Sequence, residues 1–224
     1  MPTSTPDGSL DLAVAPYRPL RPWFRLVTAL AIVVAIAAQC QRLSSDGVFK
    51  PVNVFSFFTI QSKILTVFVL LGLESRTDSA VHRLARSIRP GVVLYMAMTG
   101  VIYAVLLAPA SADVGLTAKW VDTIVHVVAP IVIVGDWFLS PPSRRPGVAD
   151  ICKWLAFPVA WLAYSLVRGS IVDWYPYPFL DPRPGHHAAG SWGVVSLMVA
   201  VIAVAVLAFA WVLVRITPRR DVRP

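Results

Sequence analysis

Six apolar blocks, each near the ~20 residues a helix needs to cross ~30 Å of hydrocarbon, constrain this chain more than anything else in it. They run approximately Trp23–Cys40, Asn53–Leu73, Gly91–Pro109, Trp120–Leu139, Ile151–Val167 and Ser191–Val214. Only 14% of the 224 residues are charged, against about 25% in a soluble domain. Lipid offers no partner for backbone N–H and C=O groups, so blocks of this length must satisfy them internally, as helices. The expected fold is therefore all-α: a polytopic membrane protein with a six-transmembrane-helix bundle over residues 21–216. A disordered cytoplasmic tail is expected over 1–20 and a basic cytoplasmic tail over 217–224. Ala35-Ile36-Ala37 resembles a signal-cleavage site, but the block's length and the five that follow favour a retained span.

The net charge of +8 and pI near 10.0 would suit nucleic acid if the cations clustered on a soluble surface. They alternate with the spans instead. Fourteen of the 20 Lys and Arg residues fall on one side: Arg18, Arg21 and Arg25; Arg76, Arg83, Arg86 and Arg89; Arg144, Arg145 and Lys153; Arg215, Arg219, Arg220 and Arg223. The positive-inside rule makes both termini cytoplasmic and the plasma membrane the expected location. Nucleic acid is not an expected partner. Seven of the eight tryptophans lie at or beside span ends, as an interfacial belt would, and Trp161 lies deep in the fifth block, as a packing residue would.

Cys40 and Cys152 belong to opposite membrane faces, beyond the ~7 Å between bridged α-carbons, so no disulfide is expected. No metal-ligand spacing occurs, and no metal or cofactor is expected. No internal repeat relates the first three blocks to the last three, which counts against a transporter. The longest loop, about residues 169–190, faces outside and carries "DWYPYPFLDPRPGHH", an extended aromatic–proline segment. His186 and His187 in it, and His82 in a basic loop, read as solvated.

The stretch "NVFSFFTIQSKIL", from Asn53 to Leu65, places a threonine, a glutamine, a serine and a lysine in one apolar run. Polar groups at membrane depth either glue helices or act chemically. Thr59 lies six residues from the outer end of its block, and His126 six residues from the outer end of a parallel one. At about 1.5 Å per residue both sit roughly 9 Å below the surface. Asp122 precedes His126 by four residues and shares its helix face. Thr59, His126 and Asp122 thus fit a nucleophile, a base and an orienter. They equally fit a back-bonded threonine, an interhelical histidine and a helix-start aspartate. Lys63 lies a turn deeper than Thr59 on the same face, placed to clamp a substrate carboxylate, serve as a base or pair with Asp136. Arg168, at the outer end of the fifth block, suits a fatty carboxylate or a phospholipid headgroup as well as an interfacial anchor. Asn53, Tyr175 and Tyr177 are the other candidate substrate contacts. Asn53, Gln61, Ser62 and Lys63 are candidate oxyanion donors. The soluble-hydrolase pattern G-x-S-x-G is absent.

Taken in order, "FFTIQSKIL", "WVDTIVHVVAPIVIVGDW" and "YSLVRGSIVDWYPYPFLD" resemble the androgen-induced-gene family of six-span membrane proteins, in its actinobacterial branch. The resemblance covers the second through fifth blocks and the long loop. Its animal members are intramembrane threonine hydrolases that cleave fatty acid esters of hydroxy fatty acids with a threonine and a histidine. Carried to this chain, the resemblance implies Thr59 and His126 as that pair and an amphipathic fatty acyl ester as substrate. Lys63 stands where the bacterial branch has asparagine, a change that bears on how a carboxylate or oxyanion is held. Two other classes would use the same residues. A lipid or fatty-acid binding protein would keep the pocket without turnover, and a proton-coupled transporter would use Lys63, His126 and Asp136 as a relay. Membrane lipids are expected partners, and the residues carry no signal for oligomeric state.

Overall fold

Hydrocarbon leaves the apolar blocks one local solution, and helices account for most of the described residues. The computed structural model describes residues 22–107, 118–142, 144–185 and 190–217. The tails expected over 1–20 and from 218 onward, and His186 and His187, lie outside the described residues. The helices are α1 (Pro22–Ser45), α2 (Pro51–Ser56), α3 (Phe58–Leu73), α4 (Ala80–Ile102), α5 (Lys119–Leu139), α6 (Val148–Val172) and α7 (Trp192–Ile216). Five of them, α1, α4 with its extension to Val105, α5, α6 and α7, are long and apolar enough to cross a membrane. This is a helical membrane protein. Their large outward residues, such as Leu30, Ile171 and Val204, are exposed, as lipid-facing side chains are.

The second block was expected as one helix from Asn53 to Leu73, and the structure divides it. Phe57 adopts an extended backbone (φ −66°, ψ 133°) between α2 and α3. A break at membrane depth strands backbone groups, and each costs free energy unless re-satisfied. Here side chains supply the partners. Trp161 Nε1 donates to the Ser56 carbonyl at 2.9 Å and Gln61 Nε2 to the Phe55 carbonyl at 2.9 Å. The Thr59 amide donates to the Tyr177 hydroxyl at 3.3 Å. Trp161 thus serves as a backbone partner as well as a packing residue.

Prolines shape the other helices in the same way. Pro130 cannot donate to the carbonyl four residues back, which belongs to His126, and its ring crowds that carbonyl. The helix widens into a π-turn at Ile124–Val128, a local form common at functional sites. Pro158 likewise frees the Trp154 carbonyl, and the Tyr95 hydroxyl donates to it at 2.6 Å. Ser79 caps α4 by accepting from the His82 amide at 3.0 Å.

The core lies where α3, α4 and α5 meet, around Leu70, Val92, Met96 and Ile133. Gly72 lets α3 and α4 approach so closely that a Cβ there would sit 2.7 Å from that of Ala85. One end of this core is tied by charge. Asp136, 2% exposed, accepts from Arg25 at 2.9 Å and from Arg89 at 2.8 Å. Arg25 also pairs with Glu74 at 2.8 Å, and Arg89 donates to the Ser140 carbonyl at 2.7 Å. Two arginines thus balance two carboxylates across α1, α4, α5 and the end of α3. Arg25 and Arg89, counted in the sequence among topology-setting charges, are internal ties. Asp136 was considered as a partner for Lys63, but its oxygens are held by these arginines. Trp137, assigned in sequence to the interfacial belt, is 0% exposed because its Nε1 donates to Thr217 at 3.0 Å and its ring lies beneath Arg89. Trp154 is also buried, whereas Trp23, Trp120, Trp192 and Trp211 are exposed. Thr217, placed in the C-terminal tail by sequence, is buried as the α7 cap.

Candidate functional site

Thr59 occupies the first turn of α3, immediately after the break at Phe57. Its hydroxyl and the Tyr177 hydroxyl share a hydrogen bond of 3.0 Å. Tyr177 comes from the loop between α6 and α7, beside a short 3₁₀ turn at Pro178–Leu180. Burial pushes its phenol above the usual range against the opposing hydrogen bonds from Thr59, so it is a neutral O–H at pH 7. That loop is pinned. Arg183 grips Asp181 through two bonds, at 2.8 and 2.6 Å, and donates to the Asp173 carbonyl at 2.7 Å.

His126 sits in the π-turn of α5. Its Nδ1 lies 2.8 Å from Asp122 Oδ1, and the other carboxylate oxygen accepts from the Tyr103 hydroxyl. Tyr103 also stacks on the imidazole, with ring centres 4.2 Å apart and planes within 3°. A carboxylate on Nδ1 holds the proton there and leaves the Nε2 lone pair basic.

Thr59 and His126 line one cavity of about 240 Å³ between α3, α4, α5, α6 and α7. Its walls are almost wholly apolar, with Leu94, Met98, Leu155, Val159, Ile202 and Val206 among them. Tyr177 lines it too, as does Thr99, a buried hydroxyl without a partner among the described residues. An apolar cavity with a hydroxyl and an imidazole on its wall has the general character of a small-molecule site.

The structure brings Thr59, His126 and Tyr177 to this cavity, with Asp122 held on His126, and gives the other candidates different partners. Ser62 donates to the Thr59 carbonyl at 3.1 Å and Gln61 to Phe55, so both serve the helix break. Lys63 is 0% exposed with its Nζ 3.0 Å from Met96 Sδ; it does not line the cavity, though it is near enough to His126 to act on it electrostatically. Arg168 donates to Asn53 Oδ1 at 2.6 Å and lies over the Trp174 ring at 5.0 Å, joining α6 to α2. Tyr175 packs on Gly169 beneath Arg183.

Tyr103 and Thr99 are the residues the sequence reading missed. Tyr103 was open to the depth count used for Thr59 and His126, since it is a tyrosine near the outer end of its block. Thr99 looks like any threonine in a span until its hydroxyl is seen without a partner.

The close fit of Tyr175 on Gly169 gives a prediction. A Cβ at 169 would sit 2.2 Å from the Tyr175 ring. Gly169→Ala should cost about 1–3 kcal/mol in thermal unfolding, as overpacking does, and open the loop to chymotryptic cleavage after Phe179. Unchanged cleavage would show that Tyr175 turns aside without moving the loop. Comparison of the chain with family models, curated proteins and solved structures finds no match.

Proposed function

We propose that the protein is an intramembrane ester hydrolase with Thr59 as nucleophile and His126 as general base. The substrate class is fatty acid esters of hydroxy fatty acids. The working topology is a six-span bundle, α2 and α3 together making the second span, with both termini cytoplasmic in the plasma membrane. One observation carries the reading: a threonine and an aspartate-bound histidine, 67 positions apart in sequence, line the same apolar cavity. The resemblance noted above contributes the substrate class.

The Thr59 oxygen attacks the ester carbonyl carbon while His126 Nε2 takes the hydroxyl proton. The tetrahedral adduct collapses, the bond to the alcohol oxygen breaks, and the imidazolium returns the proton to that oxygen. Water then attacks the acyl-threonine with His126 again as base, releasing the fatty acid and restoring Thr59. Asp122 stabilises the imidazolium and fixes its tautomer. Tyr177 donates to the Thr59 oxygen, and Thr99 supplies a donor toward the ester group. A low-dielectric wall strengthens each of these interactions.

The test is turnover of such an ester by purified protein in detergent, followed by acid quench and mass spectrometry of the Thr59 peptide. An acyl adduct on Thr59 supports the mechanism, and turnover without one refutes the covalent step. A second reading rests on the Thr59–Tyr177 bond, which gives the hydroxyl a structural partner. It makes the protein a fatty-acid binder without turnover, identified by copurifying lipid and an inert ester. Asp122→Asn offers a graded check within the hydrolase reading. It should lower kcat by about 10²–10⁴-fold with little change in KM, because it loses the tautomer and leaves the cavity intact. A change confined to KM would move Asp122 out of the chemistry.

A further inference from the structure

A second cavity, of about 590 Å³, opens at the end of the bundle tied by Arg25, Arg89 and Asp136. It lies between the first half of α4 and the start of α6. Its mouth carries Arg83, Arg86, Arg144 and Lys153, and its inner wall is built from Leu65, Val92, Tyr95, Trp154 and Phe157. One carboxylate lines it, that of Asp150. Asp150 accepts from the Gly147 amide at 3.0 Å, Arg144 at 2.7 Å and Lys153 at 3.3 Å. Arg83, Arg144 and Lys153 against the one carboxylate of Asp150 leave a net positive charge at the mouth. Arg83, Arg86, Arg144 and Lys153 are all exposed, so their heads reach outward while their stems line the walls.

A soluble phosphate would have no use for the apolar interior, and a neutral lipid none for the cations. The combination matches an anionic amphiphile whose chain enters beside Leu65 and Phe157 while its phosphate stays among the cations. Basic pockets between spans at a membrane face bind anionic headgroups in this way.

We propose that this cavity is a binding site for one anionic phospholipid of the leaflet at that end of the bundle. The site is separate from the Thr59 cavity and does not depend on the hydrolase reading. Tyr95 lines both cavities. With its hydroxyl fixed on the Trp154 carbonyl, it forms a wall between them.

The test is native mass spectrometry of the full chain released from nanodiscs of mixed phosphatidylglycerol and phosphatidylcholine. The expected result is one retained phosphatidylglycerol, favoured at least tenfold over its bilayer share. An Arg83→Gln/Lys153→Gln pair should abolish that preference. A Lys50→Gln/Lys119→Gln pair, which removes the same charge from exposed positions at the other end, should leave it intact. Equal retention of both lipids, or equal loss in the two pairs, overturns the proposal. So does binding of inorganic phosphate in calorimetry without discrimination between lipids. A wild-type measurement covers failure of the first pair to fold. A phosphatidylglycerol with a photoreactive headgroup should label residues 83–87 or 144–153, and labelling elsewhere refutes the site.

Discussion

Thr59→Ala and His126→Ala should each eliminate the proposed ester hydrolysis, and the double variant should be no slower than either one. Single losses on the order of 10⁴-fold or more in kcat are expected, because a nucleophile and its base act as a unit and their effects do not add. The side chains meet only through the cavity they both line. Removing Thr59 takes away the attacking oxygen, and removing His126 leaves that oxygen protonated. Thr59→Ser should keep part of the activity, since the hydroxyl and its Tyr177 partner both survive. The measurement is kcat and KM for all four variants in detergent, with thermal unfolding as the control for fold. Equal rates in wild type and both single variants would end the assignment. Additive losses would place the two residues in separate roles.

Asp136→Asn produces the largest loss of stability, about 3–5 kcal/mol, the range for removing one partner of a buried ion pair. The carboxylate is 2% exposed and holds Arg25 at 2.9 Å and Arg89 at 2.8 Å. The amide can still accept a hydrogen bond but carries no charge, so two guanidinium groups face only Glu74. Because the cluster joins α1, α4 and α5, the loss should appear in the main unfolding transition of the purified protein. Hydrolysis per folded molecule should be unchanged, since the cluster is absent from the walls of the Thr59 cavity. An unfolding midpoint within about 2 °C of wild type would correspond to a much smaller ΔΔG and would mean that water or lipid already solvates the pair.

The helical class was legible because lipid permits so few alternatives. Block length alone located α5 and α7 to within two residues and α1 and α6 to within five, while α4 begins eleven residues before its block; a depth count aligned Thr59 with His126. The division of the second block was not legible. Nothing local in "SFFTIQ" demands an extended Phe57, and the break persists because Trp161 and Tyr177, far along the chain, satisfy what it exposes. The fates of Lys63 and Asp136 were hidden for a related reason. Spacing gives depth but not azimuth, so a carboxylate near the right level could belong to several cations. The charge rule also cannot separate a surface arginine from one folded inward, as Arg89 is. Tyr103 shows the opposite situation, a residue whose position was readable but whose stacking on His126 depends on the π-turn that Pro130 imposes.

The interruption at Phe57 also bears on how the cavity opens. Tyr177 is at once the hydroxyl partner of Thr59 and the acceptor for its amide. Moving the tyrosine aside strands that N–H beside a nearly apolar wall. The unmet donor opposes such a displacement. A hydrocarbon guest brings no remedy, whereas a guest with an oxygen at the right depth can take the vacated position as the tyrosine leaves. Under the proposed hydrolase reading, the guest favoured there is one that places a carbonyl oxygen at that level, next to the carbon that Thr59 would attack.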